Sequence, residues 1–225
     1  MMKEISKGYY IQETELSILL AIKGLQELYG IRLNGIESIT QEEIYQTVFT
    51  MLKKGILNKL QDRIQIEDSL DNLMDVIKNA QSFLVYADVD DSSPESYYYV
   101  AGKDAILIQS GGQQNNLLSI EKMTSEEIME GMKRNWLEQN AKEVMECKTP
   151  PEGLCEEARG YWLANKETIL QKPKVKQLLQ EYDVHTKCKK KQVIKFAMGL
   201  DEYIVYSDEQ GDKVFDVLEM GGEKS

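Results

Sequence analysis

The chain has 225 residues, 42% of them hydrophobic and 29% charged, which suits a folded globular protein with a sizeable core and excludes a disordered one. Its 38 acidic residues outnumber 27 basic ones, and a net charge of −11 disfavours general nucleic-acid binding, which depends on neutralising phosphates. The three cysteines, Cys147, Cys155 and Cys188, are too few and odd in number for a disulfide framework; with no signal-peptide pattern and no apolar run near the ~20 residues of a membrane span, a cytoplasmic protein without membrane insertion is expected.

Helical periodicity begins at Gln12 and runs to Tyr29, with Ile18, Ile22, Leu25 and Tyr29 on one stripe and Gly30 as the stop. Thr40-Gln41-Glu42-Glu43 is a capping box that opens a helix to Lys54, closed by Gly55. Ile56-Leu57 and Arg63 to Ile66 read as two short strands around a polar turn at Gln61-Asp62. Helix, helix, glycine and small hairpin is the order of a winged helix. Its second helix, however, starts with two acids and carries no cation before Lys53, which argues against base or phosphate reading.

A helix over Glu67 to Ala80 follows, then strands over Phe83 to Val89, Tyr97 to Ala101, Ala105 to Gln109 and Leu117 to Lys122. A second capping box at Thr124 to Glu127 opens a helix through Trp136 towards Met145, and Thr149 to Gly153 breaks the chain at two prolines. This break sets the expected division into an N-terminal half, 1–146, and a C-terminal half, 147–225. In the second half Cys155 to Gln171 and Lys174 to Tyr182 read as helices. A second strand set starts near Val184, rich in lysine on one face, and its last strand runs from Asp212 to Glu219. The lysines read as a solvated face, with docking of an acidic partner as the alternative.

The two strand sets resemble each other. Displaced by 97 positions, residues 98–123 fall on 195–220 without a gap, with Gly102/Gly199, Asp104/Asp201, Ser110/Ser207, Gln113/Gln210 and Met123/Met220 identical. The expected fold is therefore α+β: two antiparallel β-meanders flanked by helices, related by a pseudo-twofold repeat, behind a winged-helix-like N-terminal portion.

No residue set points to a reaction. Cys147, Cys155, His185 and Cys188 could make up a Cys₃His zinc set but lack the short paired spacing. The acidic loop from Asp88 to Glu95 lacks the glycine and distal glutamate of an EF-hand, and Gly111-Gly112 neither precedes a helix nor leads to Lys-Ser/Thr. No catalytic residue, metal or cofactor is expected.

From Leu16 to about Met129 the order of features resembles one family. The features are a first helix ending Leu28-Tyr29-Gly30-Ile31, a capped helix closing Leu52-Lys53-Lys54-Gly55-Ile56, and a short Ile-Gln-Ile strand before an amphipathic helix. Phe83-Leu84-Val85-Tyr86, the run Tyr98 to Ile108 containing Ala101-Gly102, and the capped helix at Glu126-Glu127-Ile128 complete it. This pattern looks like the EspG family of cytosolic chaperones of type VII (ESX) secretion. The resemblance implies a non-enzymatic adaptor that binds a secreted helical protein, with a central antiparallel sheet between helical bundles. A winged-helix transcriptional regulator or an uncharacterised enzyme is the alternative.

Partner binding is expected at Tyr97 and Tyr99, which share one face of a strand in the Tyr97-Tyr98-Tyr99 run, with Trp136 and Trp162 as anchors, because tyrosine and tryptophan dominate interface energies. A homodimer is a further expectation; nucleic-acid and small-molecule partners are not.

Overall fold

The structure is a computed structural model and describes residues 8–31, 33, 35–61, 63–88, 95–110, 117–128, 156–171, 175–198, 201–209 and 211–216. The class is α+β, and the chain divides into two compact units. The first comprises Met1–Phe83 and Ser96–Thr124, the second Leu84–Glu95 and Ser125–Ser225. The expected boundary at 146 and the proline break at 150 lie outside the described residues.

In the first unit the chain opens with a strand the sequence reading missed, β1 (Tyr9–Gln12), followed by α1 (Glu13–Ile22). Helix α1 ends well before Tyr29. Gly24 takes a positive φ, its N–H donates to the Ala21 carbonyl, and the Leu25 N–H donates to that of Leu20. This double closure uses the left-handed conformation that glycine adopts at little cost, so Gly24 rather than Gly30 is the stop.

A short 3-10 turn (Ile36–Ser38) leads to α2 (Gln41–Lys54). Its capping box is present: Thr40 Oγ1 accepts from the Glu43 N–H, and the Glu43 carboxylate accepts from the Thr40 N–H at 2.9 Å. Gly55, left-handed, closes it. Strands β2 (Leu57–Leu60) and β3 (Arg63–Ile66) form a two-stranded hairpin, and α3 (Asp68–Lys78) buries Leu70, Leu73, Met74 and Ile77. Glu67 caps α3 at the Leu70 N–H and also accepts from the Tyr9 hydroxyl at 2.8 Å, tying β1 to that helix.

Strand β4 (Ser82–Asp88) begins in the first unit and continues into the second. Strands β5 (Ser96–Ala101), β6 (Asp104–Ser110) and β7 (Leu117–Thr124) form an antiparallel meander, and β1 adds outside β7, so the first-unit order is β1-β7-β6-β5.

In the second unit α4 (Glu156–Gln171) is followed by β8 (Val175–Asp183), β9 (Lys189–Met198), β10 (Asp201–Asp208) and β11 (Gly211–Asp216), with the order β4-β8-β9-β10-β11. The stretch expected as a helix from Lys174 to Tyr182 is thus a strand. Its Gln, Leu and Glu residues favour a helix locally, but pairing of Leu178 with Ile194 and Gln180 with Gln192 along β9 overrides that preference. The hairpin turns at Asp183, whose carboxylate accepts from the His185 and Thr186 N–H groups.

The two meanders share one hairpin register. Tyr99 pairs with Ile106 and Ala101 with Asp104; displaced by 97, Phe196 pairs with Tyr203 and Met198 with Asp201. The third strand departs from the ungapped repeat. Ile108 lies opposite Ile120, whereas Val205 lies opposite Val214, which the displacement had matched to Leu117. The connection from β6 to β7 is longer than that from β10 to β11, and loop length decides where the returning strand begins its pairing.

Candidate functional site

The face carrying Tyr97 and Tyr99 is the packed face of the first-unit meander. Tyr99 is 1% exposed and its hydroxyl donates to the Tyr29 carbonyl at 2.6 Å. Phe83 sits 5.0 Å from its ring, edge-on to Tyr29 and stacked on Tyr97 at 6.0 Å. Ile106, Ile108, Leu118, Ile120 and Ile11 continue the face and are all buried. Burial pushes the Tyr99 phenol well above its ordinary pKa, so it stays a neutral donor. Gly30 belongs to this corner: at φ +85° a Cβ would stand 2.0 Å from Phe83 Cζ. Tyr99 is therefore a core group, and Tyr97, half-buried, stacks against the same aromatic corner rather than standing free as a docking surface. Alternation correctly put them on one side of the strand, but the unit buries that side.

Trp162 is corrected in the same way. It is 0% exposed, packed in the second unit with Ala158, Ile169, Ile194, Phe196, Tyr203 and Val205. Its indole N–H donates to Asp212 at 2.8 Å, and Lys166, one turn further along α4, donates to the same carboxylate oxygen at 2.7 Å. Burial raises the Asp212 pKa, but these hydrogen bonds, led by that of Lys166, outweigh it and hold the carboxyl below its usual range. Trp136 lies outside the described residues.

Asp212 ends a row of polar side chains registered across four strands of the second unit: Gln180 opposite Gln192, Gln192 opposite Ser207, Ser207 opposite Asp212. Gln192 accepts from Gln180 at 2.9 Å and from Lys189 at 2.7 Å, and Gln180 accepts from the Tyr182 hydroxyl at 2.9 Å. Burial, then the charge of Lys166, lowers the Lys189 pKa. The indole–Asp212 hydrogen bond joins α4 to β11 in the sheet beneath it. Two further lysines of β9 are met by acids nearby: Lys190 pairs with Asp183 at 3.1 Å, and Lys191 stands opposite Glu181 in the strand register. That neutralisation favours the solvated-face reading.

Among the described residues no group of His, Cys, Asp and Glu could hold a metal ion. Cys188 is an exposed free thiol, and Cys147 and Cys155 lie outside the described residues. Most of the acidic loop from Asp88 to Glu95, and all of Gly111-Gly112, lie outside them too.

Exposed aromatic surface occurs elsewhere in the first unit. The opposite face of the same meander carries Tyr98, Leu107 and Met123, all half-buried, with Ser96, Gln109 and Ser119 forming a row that ends at Tyr10 on β1. Tyr10 is 68% exposed. Burial raises the Tyr98 pKa, partly offset by a hydrogen bond with Ser96. The second exposed aromatic set is on α2, where Tyr45 is 65% and Phe49 58% exposed. Sequence reading passed over Tyr10 because the strand bearing it was not recognised, and over Tyr45 and Phe49 because only the inward stripe of α2 was sought.

No protein-family model matches the chain, and no curated protein matches it significantly.

Proposed function

We propose that the chain is a non-enzymatic, cytoplasmic adaptor or chaperone that holds a helical segment of a secreted protein, in the manner of type VII secretion chaperones. The carrying observation is the half-exposed face of the first-unit meander, where Tyr98, Leu107 and Met123, around the buried Ala105, share one side with the exposed Tyr10. Aromatic and methionine side chains on a half-exposed sheet face offer apolar contact area to a helix, with Gln109 and Ser119 available to its polar edge. The spacing resemblance to the EspG family supports the same reading, as does the hairpin register common to both units, which is what an internal duplication would leave. Among the described residues no helix is long and apolar enough to cross a membrane.

The test is co-purification from the native cell with wild type and with Tyr10→Ser. The expected eluate contains a small secreted helical protein identified by mass spectrometry, and the variant, folded as wild type, binds it about 1–3 kcal/mol more weakly. No such client, or equal capture by the variant, ends the assignment to this face.

The winged-helix regulator is the second reading. In its favour, Lys53, Lys59 and Arg63 cluster in sequence at the end of α2 and on the β2-β3 hairpin, with no carboxylate partner among the described residues. Against it stand Glu42 and Glu43 and the net charge of −11. No appreciable duplex-DNA binding is expected at physiological salt; tight promoter binding there would reverse the order of the two readings.

A further inference from the structure

Helix α2 has apolar side chains on two opposite sides, and its own unit uses one. At about 3.6 residues per turn, Ile44, Val48, Met51 and Leu52 share the inward side. Met51 is fully buried and the other three are half-buried. The outward side carries Glu42, Tyr45, Gln46, Phe49 and Lys53, every one exposed. Hydrogen bonds and stacking within the stripe align these groups along the helix. The Gln46 amide donates to Glu42 at 3.3 Å, the Gln41 amide donates to the Tyr45 hydroxyl at 3.1 Å, and the Lys53 ammonium lies 4.3 Å from the Phe49 ring centroid.

This stripe is acidic at its N-terminal end, aromatic in the middle and basic at its C-terminal end. That order is complementary to itself when reversed. We propose that α2 is the contact of a two-fold homodimer, in which a second copy's α2 lies antiparallel on the first. Glu42 of each copy then meets Lys53 of the other at both ends of one isologous patch, while Tyr45 and Phe49 cover their counterparts. The antiparallel arrangement also opposes the two helix dipoles, whereas a parallel pair would set acid on acid and base on base. An unrelated partner would need one charge pattern to match this stripe; a second copy carries it already. Glu43 takes no part, because its carboxylate is engaged in the capping box with Thr40.

Sedimentation of the full chain over a concentration series tests this, with circular dichroism confirming the fold of each variant. Wild type is expected to show a reversible monomer–dimer equilibrium that weakens with salt. Phe49→Ser should raise the dissociation constant about 30-fold, the effect of losing an interface anchor. Glu42→Lys and Lys53→Glu should each be monomeric alone, and an equimolar mixture of the two should dimerise again, because opposite charges then meet at both ends. A wild type that stays monomeric throughout, a dimer indifferent to Phe49→Ser, or folded charge variants that fail to pair on mixing would each overturn the proposal. Should a charge variant not fold, the Phe49→Ser comparison decides alone.

Discussion

The two meanders offer a comparison of one hairpin under two different covers. In the first unit Tyr99, Ile106 and Ile108 face inward; at the same register in the second unit stand Phe196, Tyr203 and Val205. The groups packed with them differ. The first unit adds the apolar side of α3 and an aromatic corner from Tyr29 and Phe83, in which the Tyr99 hydroxyl donates to the Tyr29 carbonyl. The second unit is covered by α4, whose buried tryptophan brings an N–H that needs an acceptor. At the hairpin's open end the first unit has Leu118 opposite Ser110, while the second has Asp212 opposite Ser207. The polar row of the second sheet thus follows from the choice of covering side chain, since a buried donor left unsatisfied costs more than the hydrogen bond it forms.

The largest expected effect tests whether the aromatic face of the first unit is core. The double variant Tyr97→Ser, Tyr99→Ser should lose about 4 kcal/mol of unfolding free energy in urea, through loss of buried ring area and an orphaned Tyr29 carbonyl. A variant as stable as wild type would return these tyrosines to the surface.

Both units hold a carboxylate beneath a half-exposed lysine, which sharpens the comparison. Lys54 meets the fully buried Glu15 at 2.7 Å, and Lys166 meets Asp212 at 2.7 Å. Removing one partner of a buried pair strands the other charge. Lys54→Met should cost about 2 kcal/mol, because Glu15 then keeps the Gln12 N–H at 2.9 Å in place of its ion pair. Lys166→Met should cost about 1 kcal/mol, because Asp212 keeps the indole N–H and more water. Thermal denaturation of the two variants checks the order; the reverse order would mean that depth of burial does not govern these pairs.

Trp162→Phe keeps most of the ring packing and removes the donor, at an expected cost of about 1 kcal/mol measured by chemical denaturation. The smallest effect is in pH. The folded Asp212 carboxyl sits below its ordinary value, so its contribution to stability is present above the unfolded pKa near ~4 and is lost as pH falls through the lower folded value. Asp212→Asn should flatten that acid limb. A stability curve for Asp212→Asn that stays parallel to wild type between neutral and acid pH would show that the carboxylate is not linked to folding.

Much of the fold was legible because it rests on local chemistry. The α2 capping box, the glycine stop at Gly55, the β2-β3 hairpin and the like-registered β5-β6 and β9-β10 hairpins all follow from neighbouring residues and period. The misses share a cause: long-range pairing outvoted local preference. Tyr9 to Gln12 is a strand because β7 offers it a ladder, and Val175 to Asp183 is a strand because β9 does. The docking surface was misassigned for a related reason. Alternation separates Tyr98 from Tyr97 and Tyr99 with certainty, but which side is buried depends on where α3 and Phe83 come to rest, and these lie outside β5 in sequence. The sequence alone determined most of the helices and strands, the hairpin register and the helical period of α2, all properties of residues within a turn or two of one another. Tertiary structure decided which face each sheet buries, and so left Tyr10, Tyr45 and Phe49 exposed, because burial is settled by packing between distant segments rather than by the periodicity of any one of them.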